Sequence, residues 1–134
     1  IGPAFESQTA HQPKMNLILI CLGGALGALS RFYISNLFPK SDTLEIPIGI
    51  LIVNIMGCFL LGLFYNLMDS SLEKYLTPFL FIGFLGAFTT FSAFSKESLE
   101  LLVDGQFVSA LLYVSVSLFS CLGATWLGIY LTKT

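Results

Sequence analysis

The sequence predicts an all-α integral membrane protein with four spanning helices, and three observations carry that prediction. Of its 134 residues, 55% are hydrophobic and 10% charged, and the mean hydropathy is +0.85, far more apolar and less charged than an average soluble domain. The apolar residues gather into four stretches, 15–38, 46–68, 77–103 and 107–132. Each is long enough, at about 1.5 Å rise per residue, to cross roughly 30 Å of hydrocarbon. Short polar turns separate them: Pro39 to Asp42, Asp69 to Lys74, and Asp104-Gly105-Gln106. No room remains for a soluble domain, so residues 15–134 are read as a single four-helix membrane unit.

Residues 1–14 are mixed in polarity and precede Met15 at the head of an apolar run. They are expected to be a tag remnant or a disordered extension. The first stretch is too long for the apolar part of a secretion signal and carries Arg31 inside it, so it is assigned as a helix. The second buries Asn54 between Val53 and Ile55, with Gly57 one turn on. An amide there must find partners, either as glue between helices or by offering its two N–H donors to a passing anion.

The third stretch is the least regular. Gly83-Phe84-Leu85-Gly86-Ala87-Phe88-Thr89-Thr90-Phe91-Ser92-Ala93-Phe94-Ser95 mixes glycines, hydroxyls and aromatics in a segment otherwise apolar enough for lipid. In hydrocarbon an unpaired backbone group costs several kcal/mol, so a weakened helix is tolerated only where protein, water or an ion satisfies the freed groups. A break near the midplane is therefore expected, with the carbonyls of Gly86 and Thr89 released from helical bonding and suited to a small hard cation. Phe91 and Phe94, three apart, share a face; ring edges carry partial positive charge and can receive an anion that has shed water.

The fourth stretch places Ser109, Tyr113, Ser117, Cys121 and Thr125 four residues apart, along one side of a helix, with Ser120 beside them. Such hydroxyls can bond their own backbone one turn back, or form a track of donors along a pore.

If the helices alternate in direction, Lys14, Lys74 and Lys133 face one side of the membrane, while Lys40, Lys96 and the head of Arg31 face the other. Orientation follows an excess of Lys and Arg in cytoplasmic loops, and this chain has none. An antiparallel pair of oppositely inserted copies is consistent with that balance. Oligomerisation would also supply an interior for the polar groups, and the pairs Gly23/Gly27, Gly24/Ala28, Gly83/Ala87 and Ala124/Gly128 favour close helix contacts. Three cysteines, each inside an apolar stretch and none spaced as CxxC, argue against a disulfide framework, and with a single histidine, His11, metal chemistry through Cys or His is not expected.

Three signatures together resemble the small microbial fluoride channels of the Fluc or CrcB family: Gly23-Gly24-Ala25-Leu26-Gly27-Ala28-Leu29-Ser30-Arg31-Phe32-Tyr33, then Gly49 to Phe59 around Asn54, then Gly86-Ala87-Phe88-Thr89-Thr90-Phe91-Ser92-Ala93-Phe94-Ser95-Lys96-Glu97. The resemblance covers the chain from Met15 onward. It implies an antiparallel dual-topology homodimer in the cell (plasma or inner) membrane, with two fluoride pores and one structural Na⁺ at its centre. By position, Asn54, Phe91, Phe94, Tyr113, Ser117 and Thr125 resemble the fluoride pore, the backbones of Gly86 and Thr89 the Na⁺ ligands, and Arg31 a structural anchor. Cys121 stands where the track often has a hydroxyl, and a thiol is a weak donor.

The function expected is passive fluoride export, which protects against fluoride toxicity, with fluoride and the lipid bilayer as partners. No organic cofactor, nucleic acid or enzymatic reaction is expected. The alternative is a small proton-coupled multidrug exporter, but that work needs a membrane-embedded carboxylate. Here Asp42, Glu45, Asp69, Glu73 and Asp104 lie in or beside turns, Glu97 and Glu100 fall beyond the break, and none lies in the first helix. A mere packing subunit would leave the polar stripe and the Phe pair without a task.

Overall fold

The computed structural model describes residues 3–133, with side chains for 13–69 and 71–133. The chain folds as α1 (Pro3–Asn36), α2 (Ile48–Leu67), α3 (Ser70–Leu76), a π-helical segment (Thr77–Leu85), α4 (Gly86–Phe88), α5 (Phe91–Val103) and α6 (Phe107–Leu131). Four helical runs are long and apolar enough to cross a membrane: Pro13–Asn36, Ile48–Leu67, Ser71–Val103 and Phe107–Leu131. The protein is thus all-α with four spans, the third of them interrupted. Of the extension expected over residues 1–14, Ile1 and Gly2 lie outside the described residues, and the backbone of residues 3–14 runs on as the start of α1.

Local chemistry sets the element ends. The loop before α2 is tied by Ser41 N–H to the Ile46 carbonyl (3.0 Å) and Glu45 N–H to the Ser41 carbonyl (2.8 Å), and Pro47 leads into the helix. The polar stretch expected as a turn at 69–74 is mostly helical: Asp69 sits at the N-cap of α3, and its carbonyl receives the amides of Leu72 and Glu73. Asp is favoured at that position, which the hydropathy pattern alone does not weigh. After α5 the chain reverses through Gly105 at φ 76°. Gly105 N–H reaches the Leu102 carbonyl (3.1 Å) and Gln106 N–H the Leu101 carbonyl (2.8 Å), a Schellman cap that needs a left-handed residue at this point.

Two helix pairs build the bundle: α1 packs along the π-helical segment, and α2 packs along α6. Both contacts are made by missing side chains. A Cβ on Gly23 would run into the Phe79 carbonyl, one on Gly27 into that of Phe84, and one on Gly83 would lie 2.8 Å from the Ile20 carbonyl. Gly24, expected to share that role, has only the Gly83 carbonyl at 4.0 Å from its added Cβ.

Between α2 and α6 the fit is closer still. Gly62 lies over the Thr125 carbonyl, and a Cβ on Gly128 would be 2.6 Å from that of Phe59. One rung further on, Asn66 Nδ2 donates to the Ile129 carbonyl at 3.0 Å, across sixty-three positions of sequence. Gly62 and Thr125 are separated by the same offset, so the two helices run parallel and in register. Val53, Phe88 and Tyr113 are wholly enclosed, whereas Leu17, Leu29, Phe119 and Trp126 point outward, as lipid-facing side chains do.

Candidate functional site

The break falls at Thr89 and Thr90, which are extended (φ −76°, ψ 151° and φ −148°, ψ 117°), while Gly86 remains helical. Two side chains satisfy the backbone there. Thr90 Oγ1 caps α5 by accepting from Ala93 N–H at 3.2 Å. Asn54 on α2 grips the Thr90 peptide groups from both sides: Thr90 N–H donates to Oδ1 at 2.8 Å, and Nδ2 donates to the Thr90 carbonyl at 3.1 Å. Thr90 N–H can meet only an oxygen, so the amide orientation is fixed, and its second N–H remains unspent. Asn54 is therefore glue between helices and, by that act, a donor held at the break.

Those bonds decide which carbonyls are free. The amide four residues after Gly86 is that of Thr90, which Asn54 has taken; the amide four after Thr89 is that of Ala93, which Thr90 Oγ1 has taken. Both carbonyls thus lose their α-helical donors, although Gly86 itself does not leave the helix. Thr89 turns its own hydroxyl back to the Leu85 carbonyl (2.9 Å), and its methyl group occupies the space that Gly57 leaves open.

A cavity of about 290 Å³ opens beside the break. Asn54 and Cys58 of α2 line one side, Thr89, Thr90, Phe91 and Phe94 the second, and Ser117, Leu118, Cys121, Leu122 and Thr125 of α6 the third. Five of the six pore residues expected from sequence, Asn54, Phe91, Phe94, Ser117 and Thr125, meet there. The sixth, Tyr113, lies one step outward: it is fully enclosed, its ring is 5.4 Å from that of Phe94, and its hydroxyl donates to Glu97 Oε2 at 2.6 Å. Phe94 in turn is 5.4 Å from Phe91, whose ring is 78% exposed in the single chain.

Along α6 the hydroxyls divide. Thr125 donates to the Cys121 carbonyl at 3.1 Å, and Ser120 turns back to that of Val116. Ser109 reaches Gln106 at 3.5 Å near the helix start. Ser117 differs: its Oγ is buried and has no partner among the described residues. A lone buried hydroxyl beside a cavity is in want of an acceptor or donor from whatever enters. Cys121, not Ser120, lines the cavity.

Thr90 and Cys58 were not singled out by sequence, although Cys58 stands one helical turn from Asn54. Cys58 lines the same cavity as Cys121. Spacing rules such as CxxC are blind to a pairing between parallel helices. Arg31 lies part-buried on α1, a helix that contributes nothing to the cavity. Among the described residues no cluster of three or more His, Cys, Asp or Glu could hold a metal.

The family model described as CrcB-like protein, Camphor Resistance (CrcB), matches residues 18–129. The chain belongs to the CrcB family. CrcB relatives similar to it include a "Fluoride-specific ion channel FluC" of Flavobacterium psychrophilum, 39% identical over 119 residues, covering 87% of this chain and 96% of the relative. Proteins of the same name from Pseudoalteromonas translucida and Ruminiclostridium cellulolyticum are each 42% identical, covering 84% and 90% of this chain and 96% and 94% of the relatives. The match to the CrcB model reaches into all four spans and takes in the break and every residue of the cavity.

Proposed function

We propose that this CrcB-family chain is a fluoride-selective channel, multi-pass in the plasma membrane, through which fluoride leaves the cell passively and its toxicity is relieved. It is a conduit and not an enzyme. The relatives' printed names supply the ion. The observation that carries the reading within this chain is the buried, unpartnered Ser117 hydroxyl, facing a cavity that it shares with Asn54, Phe91 and Phe94.

Fluoride holds its water tightly, so a selective path must replace that water with donors while remaining too narrow for a hydrated chloride. Ser117 Oγ–H and the unspent N–H of Asn54 are donors of the right kind. Where they are sparse, the ring edges of Phe91 and Phe94 offer weaker positive charge. Thr125 lines the cavity with its O–H turned back to the Cys121 carbonyl, and Tyr113 orients Phe94 from behind. Among the described residues no Lys or Arg lines the cavity; a full buried positive charge would retain the anion.

The same reading has the channel working as an antiparallel dual-topology homodimer with two such paths. Phe91, exposed in one chain, would then be covered by the other. The freed carbonyls of Gly86 and Thr89 suit a structural Na⁺, a hard ion that takes oxygen ligands; two copies would double the set. A Na⁺ held by these carbonyls would supply a fixed positive charge at the break. Arg31 serves as an anchor outside the path.

The multidrug-exporter alternative has no support from the cavity, where no carboxylate stands among the described residues; Glu97 is held by Tyr113 outside it. The deciding experiment is efflux from liposomes loaded with potassium fluoride, compared with potassium chloride. Fast fluoride release with no chloride release is expected. Equal flux of both ions, or none of either, overturns the reading.

A further inference from the structure

We propose that Cys58 and Cys121 form a two-thiolate site for a soft metal ion of the Cu⁺, Ag⁺ or Hg²⁺ class, and that an ion held there closes the cavity. The second half rests on the pathway reading above; the first does not. Cys58 and Cys121 stand on the parallel α2 and α6, and both line the cavity. Neither is in a disulfide.

Their juxtaposition is imposed by the helix register. They stand at the same sixty-three-residue offset that joins Asn66 to Ile129, one rung before Gly62 brings the two backbones together over Thr125. Ser117 and Asn54 occupy the rung on the other side. The thiols are therefore held opposite one another at one height, which is the arrangement a two-coordinate ion requires.

The ligand class follows from the donors. Thiolates select soft ions over Na⁺, K⁺ or Mg²⁺. Linear coordination by two sulfurs needs no third ligand, in keeping with the lack of a larger His, Cys, Asp or Glu cluster among the described residues. Leu118 and Leu122 add an apolar wall that offers no competing oxygen. On binding, each S–H loses its proton and two S–metal bonds form. With Hg²⁺ the product is neutral and two protons are released. With Cu⁺ or Ag⁺ the bis-thiolate complex carries one negative charge, which would repel an anion as well as obstruct it.

The test uses the full chain with Cys21→Ser, so that only this pair remains, reconstituted in liposomes and treated with mercuric chloride. Intact mass is expected to show one mercury per chain in place of two protons, retained against a mild competing thiol. Fluoride efflux is expected to fall by at least about tenfold, as for a plugged pore. Adding Cys58→Ser or Cys121→Ser leaves one thiol; the metal is then washed out by the competitor, and efflux changes by less than about twofold. Retention undiminished in either single-thiol chain, or no mercury on the pair, overturns the site. Mercury retained with efflux unchanged overturns the closure. Absence of fluoride efflux before any metal is added overturns the channel reading instead, and the mass measurement still decides the thiol site.

Discussion

Replacing Asn54 by Ala removes the one side chain that satisfies both faces of the break, and its cost can be worked from the bonds lost. Two hydrogen bonds disappear, at 2.8 and 3.1 Å. Interhelical hydrogen bonds in membrane bundles are worth about 0.6 kcal/mol on average and up to about 1.7, which gives roughly 1–3 kcal/mol for the pair. The Thr90 N–H is then left without a partner in a part-buried position, and an unsatisfied buried group adds about 1–3 kcal/mol. The expected destabilisation is about 2–6 kcal/mol. Reversible unfolding of the purified protein in mixed micelles measures it, beside fluoride efflux from liposomes. Asn54→Asp separates the two roles: its carboxylate still accepts from Thr90 N–H but cannot donate to the carbonyl, and it puts negative charge against an anion path. It should fold with a smaller penalty than Asn54→Ala and conduct at least about tenfold less than the parent. If Asn54→Ala unfolds within about 0.5 kcal/mol of the parent and conducts normally, the grip on Thr90 has no energetic meaning and the reasoning fails.

Other substitutions separate packing from passage. Ser117→Ala should reduce fluoride efflux while changing stability by less than about 0.5 kcal/mol, because the hydroxyl has no bond to lose; a large stability loss would reveal a partner. Phe91→Ile and Phe94→Ile should both lower efflux, but Phe94→Ile should also cost stability, about 0.5–1.5 kcal/mol for its contact with Tyr113 beyond area burial. Equal stability of the two variants would remove the supporting role of Tyr113. Gly27→Ala should destabilise by about 1–3 kcal/mol, since its Cβ meets the Phe84 backbone, whereas Gly24→Ala, with 4.0 Å to its nearest neighbour, should be tolerated. Thermal unfolding of the pair checks this, and equal melting would refute the backbone-contact account of the α1 interface.

Sequence patterning reveals the spans readily because hydropathy is a local property summed over twenty residues. It also locates a weak zone in the third span, because glycine and hydroxyl side chains weaken helices wherever they stand. The particular peptide that leaves the helix is another matter. Thr90 is selected by Asn54, thirty-six positions away, so the break at Thr89 and Thr90 is a tertiary decision. The stripe on α6 is likewise half legible. Four-residue spacing puts Tyr113, Ser117, Cys121 and Thr125 on one face, yet each height of that face meets a different neighbour. Tyr113 meets Glu97, and the rest meet the cavity. Periodicity reports direction around a helix and is silent about what stands opposite. The π-helical geometry of Thr77–Leu85 likewise has no counterpart in the hydropathy pattern.

The constant offset between α2 and α6 makes the pair behave as a toothed rail. Adding one residue inside α2 between Asn54 and Cys58 would turn everything beyond it by about 100° and advance it by about 1.5 Å. Cys58, Gly62 and Asn66 would all lose their counterparts at once, since no rung can slip without the next. An extra residue in the loop before Pro47 disturbs none of them. Length change in this chain should therefore be tolerated between spans and refused within this pair.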